Sequence, residues 1–388
     1  MKPKPSNLGQ WLVPLLLIPL LAVLAYGLML VMITPQDELT TVVVGDGVRT
    51  VAETAVPTTT PTVTSIPATA TPPPVGYSRS NPYPQGSVIT LQQWEVAVVG
   101  SIIRGDEAWQ LLQAANFLNE PPPDGSEYLL VQFRVAHTGQ TDEEQSISLH
   151  VTGSQNVLYY SFNNGQVPPD PILDTNLPAP AKSEGWKAYT IAAGEGNLVL
   201  MVEDLRNYDE PPQYVALTDD PAPDIPYDKL SDIQPSSVGN APDNAAAVGQ
   251  TAVNLSWQIT VQEMIGGDAA WQRLLETNRF NDPPPPGMEY VLCRVRVRYV
   301  GLEEGPEMIS RYSHFWVQDG QGEKVERPSL VVPEPEMFVE LFPGGEFIGW
   351  LAFQVAINDP SPLLVFDPDT FLSENGARRY FIVRMKGE

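Results

Sequence analysis

The chain has 388 residues, 40 of them proline, one cysteine and a formal net charge of -25. That length suits two globular domains plus extended segments, and the acidity argues against nucleic acid or an anionic membrane surface as a partner. A lone cysteine, Cys293, excludes an intramolecular disulfide and a thiolate metal cluster.

Residues 1–10 carry Lys2 and Lys4 and form a minimal tail. Residues 11–33, WLVPLLLIPLLAVLAYGLMLVMI, contain no charge. As a helix they span about 35 Å, enough to cross a bilayer core. Lysines before the run and Asp37, Glu38 and Asp46 after it place the tail in the cytoplasm and the remainder outside. A cleaved signal peptide ending at Val23-Leu24-Ala25 is the alternative, but the apolar run continues past Ala25, which favours an uncleaved signal anchor. Residues 34–85 follow as a stalk. Its core, PTTTPTVTSIPATATPPP at 57–74, has no apolar period and reads as extended, polyproline-like chain.

Two globular regions are expected at 86–218 and 250–388. A Pro, Asp, Ala and Ser-rich stretch at 219–249 reads as the linker between them. They are copies of each other. Residues 105–135 and 267–297 share 17 identities in 31 positions at a constant offset of 162. Both copies keep Gly-Asp-x-Ala-Trp-Gln, whereas Arg104 is replaced by Gly266. The Arg104-Gly105-Asp106 tripeptide therefore reads as the start of a helix and not as an adhesion tag. Asp106 and Asp268 are expected to cap the two helices. Trp109, Leu112 and Asn116 should share one face, as should Trp271, Leu274, Leu275 and Asn278. Proline runs at 121–123 and 283–286 end both helices.

After each proline run apolar residues alternate with polar ones. Leu129, Val131, Phe133 and Val135 form the inward face in the first copy, and Val291, Cys293, Val295 and Val297 in the second. Cys293 falls on that inward face and reads as core. Further short strands are expected at 94–103, 145–151, 157–162, 186–192, 197–203 and 213–217. In the second copy they are expected at 257–265, 308–318, 337–341, 347–357, 363–367 and 379–384. The fold class is all-β: two tandem immunoglobulin-like sandwiches, each with a short helix at one edge or end, after an N-terminal transmembrane helix.

EYLLVQFRVAHTG (127–139) and EYVLCRVRVRYVG (289–301) resemble a signature strand of telokin-like sandwich domains, an uncharacterised family of extracytoplasmic bacterial proteins. LFPGGEFIGWLAFQV (341–355) resembles that family's turn and following strand. The resemblance implies a sandwich fold and an extracytoplasmic location, and it implies no activity.

Chemistry-bearing motifs are sparse. His137, His150 and His314 have no metal-binding spacing, and Asp367-Pro368-Asp369 fails as a calcium loop at Phe371 and Leu372. No metal, cofactor or catalytic residue is expected. The candidate ligand contacts are Arg294, Arg296 and Arg298, stacked along one strand face, and Trp316, which lacks a counterpart in the first copy. Pairing of the arginines with cross-strand acids is the plainer expectation. The sequence thus points to a membrane-anchored, non-enzymatic binding or adhesion module. Its partner would be an envelope protein or wall polymer, with the membrane contacted through residues 11–33. A ligand-free spacer and a glycan-acting hydrolase are the alternatives, the latter needing two close carboxylates in a cleft.

Overall fold

The computed structural model describes residues 73–140, 143–161, 165–207, 209–368 and 377–383. The expected membrane helix and the stalk up to residue 72 lie outside the described residues. No helix among those described is long and apolar enough to cross a membrane.

The first repeat runs β1 (Val88–Thr90), β2 (Trp94–Val98), β3 (Ile103–Arg104), α1 (Gly105–Ala115), β4 (Ser126–His137), β5 (Gln145–Ser146) and β6 (Ser148–Thr152). It continues with β7 (Val157–Tyr160), β8 (Asn176–Leu177), β9 (Ala181–Ala192), β10 (Val199–Glu203) and β11 (Gln213–Ala216). A short helix α2 (Tyr227–Ser231) precedes the second repeat. That repeat runs β12 (Thr251–Val253), β13 (Trp257–Gly266), α3 (Gly267–Thr277), β14 (Met288–Tyr299), β15 (Glu307–Ser310) and β16 (Phe315–Gln318). It ends with β17 (Phe338–Leu341), β18 (Glu346–Ala356), β19 (Leu363–Phe366) and β20 (Arg379–Ile382).

Each repeat is a β-sandwich built on one long central strand. In the first, β4 pairs with β2 and β3 along one edge and with β9 along the other. In the second, β14 lies between β13 and β18. The single strand β13 does the work of β2 and β3 together, passing through an irregularity between Val261 and Glu263. The period-2 pattern decides what is buried. Leu129, Val131, Phe133 and Val135 pack inward against Leu149, Val151, Leu200 and Val202 of the facing sheet. Val291, Cys293, Val295 and Val297 meet Phe315, Val317, Leu364 and Phe366 in the same way.

The other face of β4 is only partly wet. Tyr128, Leu130 and Ala188 on that face are covered by Ala108 and Leu112 of α1, with Trp109 and Trp186 beside them. Tyr290, Leu292, Trp350 and Ala352 are covered by Ala270 and Leu274 of α3. The helix therefore lies across the outer face of the sheet, where the sequence reading had put it at an edge or end. It is amphipathic because it has one sheet beneath it and water above.

Two further expectations are corrected. Strand 308–318 is two strands, β15 and β16, separated by a turn in which Arg311 is buried. Asp106 and Asp268 do not cap: the N-cap positions are Arg104 and Gly266, neither with a side-chain cap bond. The aspartates sit in the first turn, where only the helix dipole favours them.

The repeats are joined by backbone hydrogen bonds. One six-stranded sheet runs β11-β10-β6-β7-β17-β15, with Leu158 opposite Glu340 and Val157 opposite Leu341. Its first four strands come from the first repeat and its last two from the second. The segment between the repeats is docked as well. Ile225 and Leu230 are buried against Val300, and Ala246 bonds along β20. Residues 73–83, at the end of the segment that composition assigns to the stalk, dock beside β11, where Tyr83 pairs along the open edge of the six-stranded sheet. Gly76 and Tyr83 exchange backbone bonds with Tyr214. Arg79 is fully buried there.

Candidate functional site

The expected ligand residues do not form one site. Arg294, Arg296 and Arg298 lie on the outer face of β14, because Val295 and Val297 between them point into the core. Arg296 pairs with Glu346 at 3.0 Å, and Arg134 pairs with Glu184 at 2.8 Å on the corresponding face of the first repeat. The stripe is thus in part a cross-strand ion-pair feature common to both copies. Trp316 is half-buried on the outer face of β16, in the opposite sheet, since its neighbours Phe315 and Val317 are core. Lys324 and Arg378 sit 4.9 and 5.6 Å from its ring centre. The sandwich therefore holds Trp316 and the arginines on opposite sides.

Titratable groups in the interior have structural partners. His137 stacks on Trp94 at 4.4 Å and bonds the Leu177 carbonyl through Nδ1 at 2.9 Å. His150 meets the Tyr160 ring edge-on, and burial, with Lys187 nearby, pulls its pKa down to about 4. The Ser310 amide donates to His314 Nδ1 at 3.0 Å. Burial pushes the Cys293 thiol up to about 12, so it carries no reactive thiolate. Glu195 is buried and accepts bonds from Tyr159 Oη, Ser154 Oγ and the Gln155 amide. The Arg79 guanidinium lies 4.4 Å from the Phe342 ring centre. It donates to Thr152 Oγ1, the Gly153 carbonyl and Asn156 Oδ1, and burial lowers its pKa to about 10. It pins the 73–83 segment to residues of both repeats. Among the described residues no three His, Cys, Asp or Glu side chains are grouped to hold a metal ion. Two shallow depressions are lined by polar residues, Gln92, Gln93 and Gln140 in one and Asp243, Gln318 and Asp319 in the other. Neither contains an aromatic ring.

The feature that stands apart from this background is the turn that ends each helix. α1 starts at Gly105 with φ +64 and α3 at Gly267 with φ +61, so both chains enter the helix through the left-handed region. A Cβ at either position would lie 3.2 Å from a carboxylate oxygen, of Glu127 or Glu289 respectively. Arg104 is engaged with Glu127 at 2.5 Å. Backbone geometry and an ion pair thus account for the Arg-Gly-Asp sequence.

At the other end, Asn116 and Asn278 are extended C-caps and not part of the helical face. Each side-chain Oδ1 receives a backbone bond two residues on, from Leu118 at 3.1 Å and from Phe280 at 3.0 Å. Asn119 is buried. Its Nδ2 donates to the Leu112 carbonyl at 2.7 Å and the Val167 carbonyl at 2.9 Å, and its Oδ1 accepts from the Val167 amide at 2.9 Å. Asn281 repeats this with Leu274 and Val331, every distance 2.9 Å. Tyr128 Oη and Tyr290 Oη then donate to the carbonyls of Glu120 and Asp282.

This clasp fixes what lies between the asparagines. Phe117 and Leu118 stand in water at 85% and 71% exposure, and Phe280 at 77%. Leu111 and Val167 are exposed around the first pair, and Leu275 and Val331 around Phe280. Each repeat therefore displays an apolar patch on a turn locked by side-chain-to-backbone bonds. These residues escaped the sequence reading, although the signal was present: Asn-x-x-Asn, kept in both copies one residue before a proline run, encloses Phe117 and Leu118 in the first and Arg279 and Phe280 in the second.

No family model matches the chain, and no curated protein sequence matches it. Among solved structures, the yjhA protein from Bacillus subtilis is similar at 12% identity, over 36% of this chain and 98% of its own, with a TM-score of 0.26. An uncharacterized beta-sandwich protein from Clostridium difficile 630 is similar at 9% identity, over 35% of this chain and 95% of its own, with a TM-score of 0.23. These likenesses are too distant to carry an argument about what the chain does.

Proposed function

We propose that the chain is a membrane-anchored, extracytoplasmic binding module of two telokin-like, immunoglobulin-type sandwiches, whose clasp-held apolar patches dock a protein of the cell envelope. The observation that carries this reading is the duplicated clasp. Exposed single apolar residues are ordinary, but the same locked turn presenting Phe117 and Leu118 in one repeat and Phe280 in the other is preorganised for contact. Burying Phe117, Leu118 or Phe280 on docking returns roughly 1.5–3 kcal/mol each before the cost of association. One patch alone therefore supports only weak binding. Two patches on one rigid head raise it by avidity. The uncharged run at 11–33 and the Pro/Thr stalk supply the anchor and the reach.

The test is retention of solubilised envelope proteins by the full-length chain in detergent, compared with a Phe117→Ser, Leu118→Ser, Phe280→Ser variant. The proposal expects a defined protein retained by the wild type and lost by the variant. Equal retention by both would remove the patches from the account. No retention by either would favour a spacer whose stalk length is what matters.

A further inference from the structure

We infer that residues 73–83 are a strap that opens under tension: a pull arriving through the stalk peels this segment away before either sandwich yields, and loosens the join between the repeats. The inference rests on the reading above, because only a chain anchored at one end and bound at the other is pulled. Chain order puts the strap first in line. The Pro/Thr-rich run leads directly into it, and the first strand, β1, begins only at Val88. A load from the N-terminal side therefore meets the contacts of Gly76 before those of any strand.

Those contacts are mostly polar. The Tyr214 amide donates to the Gly76 carbonyl at 2.7 Å, the Tyr83 amide to the Tyr214 carbonyl at 2.8 Å, and the Ala216 amide to the Tyr83 carbonyl at 2.9 Å. The strap meets β11 through one isolated bridge, Tyr83 opposite Val215, whereas β4 and β9 pair from Ser126 to His137. Ser78 Oγ donates to Glu304 of the second repeat. Arg79 donates to Thr152, Gly153 and Asn156 of the first repeat while its guanidinium lies over Phe342 of the second. Of the strap's large apolar side chains, Val75 and Tyr77 are exposed and Tyr83 packs against the first core. Water replaces the polar partners as the strap lifts, so it leaves at far smaller cost than a core strand, which must expose apolar surface. The cross-links that Ser78 and Arg79 make between the repeats go with it. Phe342, packed with Leu158, Val199, Met201 and Tyr214, then loses its cover.

The experiment pulls single full-length chains in detergent between two DNA handles attached to introduced cysteines. Cys293 is fully buried and stays out of the coupling. One handle is placed at Ile357→Cys, exposed just after β18, and the other at Thr58→Cys in the stalk. The expected record shows a short, reversible step at low force before the long steps of the sandwiches. Its length is at most about 40 Å, the extended reach of the segment from 73 to 83. Moving the stalk handle to Val88→Cys, exposed on β1 and past the strap, should delete the short step and leave the long ones. Arg79→Ala should lower the force of the short step or abolish it. One event that unfolds strap and sandwiches together, a short step that survives with the Val88 handle, or a short step indifferent to Arg79→Ala would each overturn the inference. The handles supply the tension, so any of these results leaves the binding reading standing, and a chain that retains no envelope protein can still show the step.

Discussion

Replacing Asn119 by alanine tests whether the clasp is as firm as its geometry. The substitution removes three hydrogen bonds, two donated by Nδ2 and one accepted by Oδ1. The Leu112 carbonyl keeps its bond from the Asn116 amide at 3.0 Å, while the Val167 amide and carbonyl lose theirs. Val167 is exposed, so water reaches its backbone and softens the penalty. At a net 0.5–1.5 kcal/mol per bond, the loss is about 2–3 kcal/mol. Asn281→Ala should cost the same, because its partners Leu274 and Val331 are arranged alike. The two sites share no partner, so the double variant should lose about 4–6 kcal/mol. Asn119→Asp should be at least as harmful at neutral pH, since it sets a carboxylate against two carbonyl oxygens. Chemical denaturation, read by tryptophan fluorescence and by circular dichroism, measures all four. A cost below about 0.5 kcal/mol for either alanine variant, the range of ordinary surface changes, would refute the claim that the asparagines lock the turns.

Arg79→Ala should destabilise the head by about 3 kcal/mol, because it strips a buried side chain from Phe342 and leaves Asn156 Oδ1 short of a donor, although the Gly153 carbonyl keeps its bond from the Asn156 amide. Limited proteolysis should then cleave within residues 73–83. Burial, helped by the nearby charge of Glu203, holds the Glu340 carboxyl above its ordinary value near 4.5, while a bond from Tyr160 opposes the shift. The stability tied to its proton is complete below that value and is lost as pH rises through the folded-state pKa. Glu340→Gln should therefore stabilise the chain at pH 7 relative to wild type, with the gain vanishing by about pH 4. Glu127 behaves oppositely. Burial would raise it, but Arg104 and the Gly194 amide together hold it below its ordinary value. Its contribution is present above about pH 4.5 and is lost as pH falls through the lower folded-state pKa, so Arg104→Ala should destabilise the chain at pH 7, with the difference from wild type shrinking in acid, and should leave adhesion to cells unchanged.

The sandwich was legible in the sequence because it rests on period-2 burial. Val131, Phe133 and Val135, with their counterparts Cys293, Val295 and Val297, could face only one way once β4 and β14 had strands on either side and one facing sheet. The helix start was legible too, through the glycine kept at 105 and 267. Its cap was misread because aspartate suits both the cap and the first turn. The fused sheet was not legible: β7 and β17 meet through backbone bonds, which leave no mark in side-chain pattern. The docking of 219–249 rests on isolated apolar residues, Ile225, Leu230 and Ala246, too few to form a period. The patches were missed for a different reason. Phenylalanine is more often buried than displayed, so its type gives no sign of exposure at 117 or 280, and only the bonds of Asn119 and Asn281 show that these side chains are held outside.

The central claim, that the clasped turns exist to present apolar side chains and not to bury them, is met most directly by one paired measurement. The Phe117→Ser, Leu118→Ser, Phe280→Ser chain is compared with wild type for thermal stability and for retention of its partner. The account predicts an unchanged melting temperature, as for residues already in water, together with loss of retention. A melting temperature lowered by several degrees with retention intact would contradict it, and would assign these side chains to the fold.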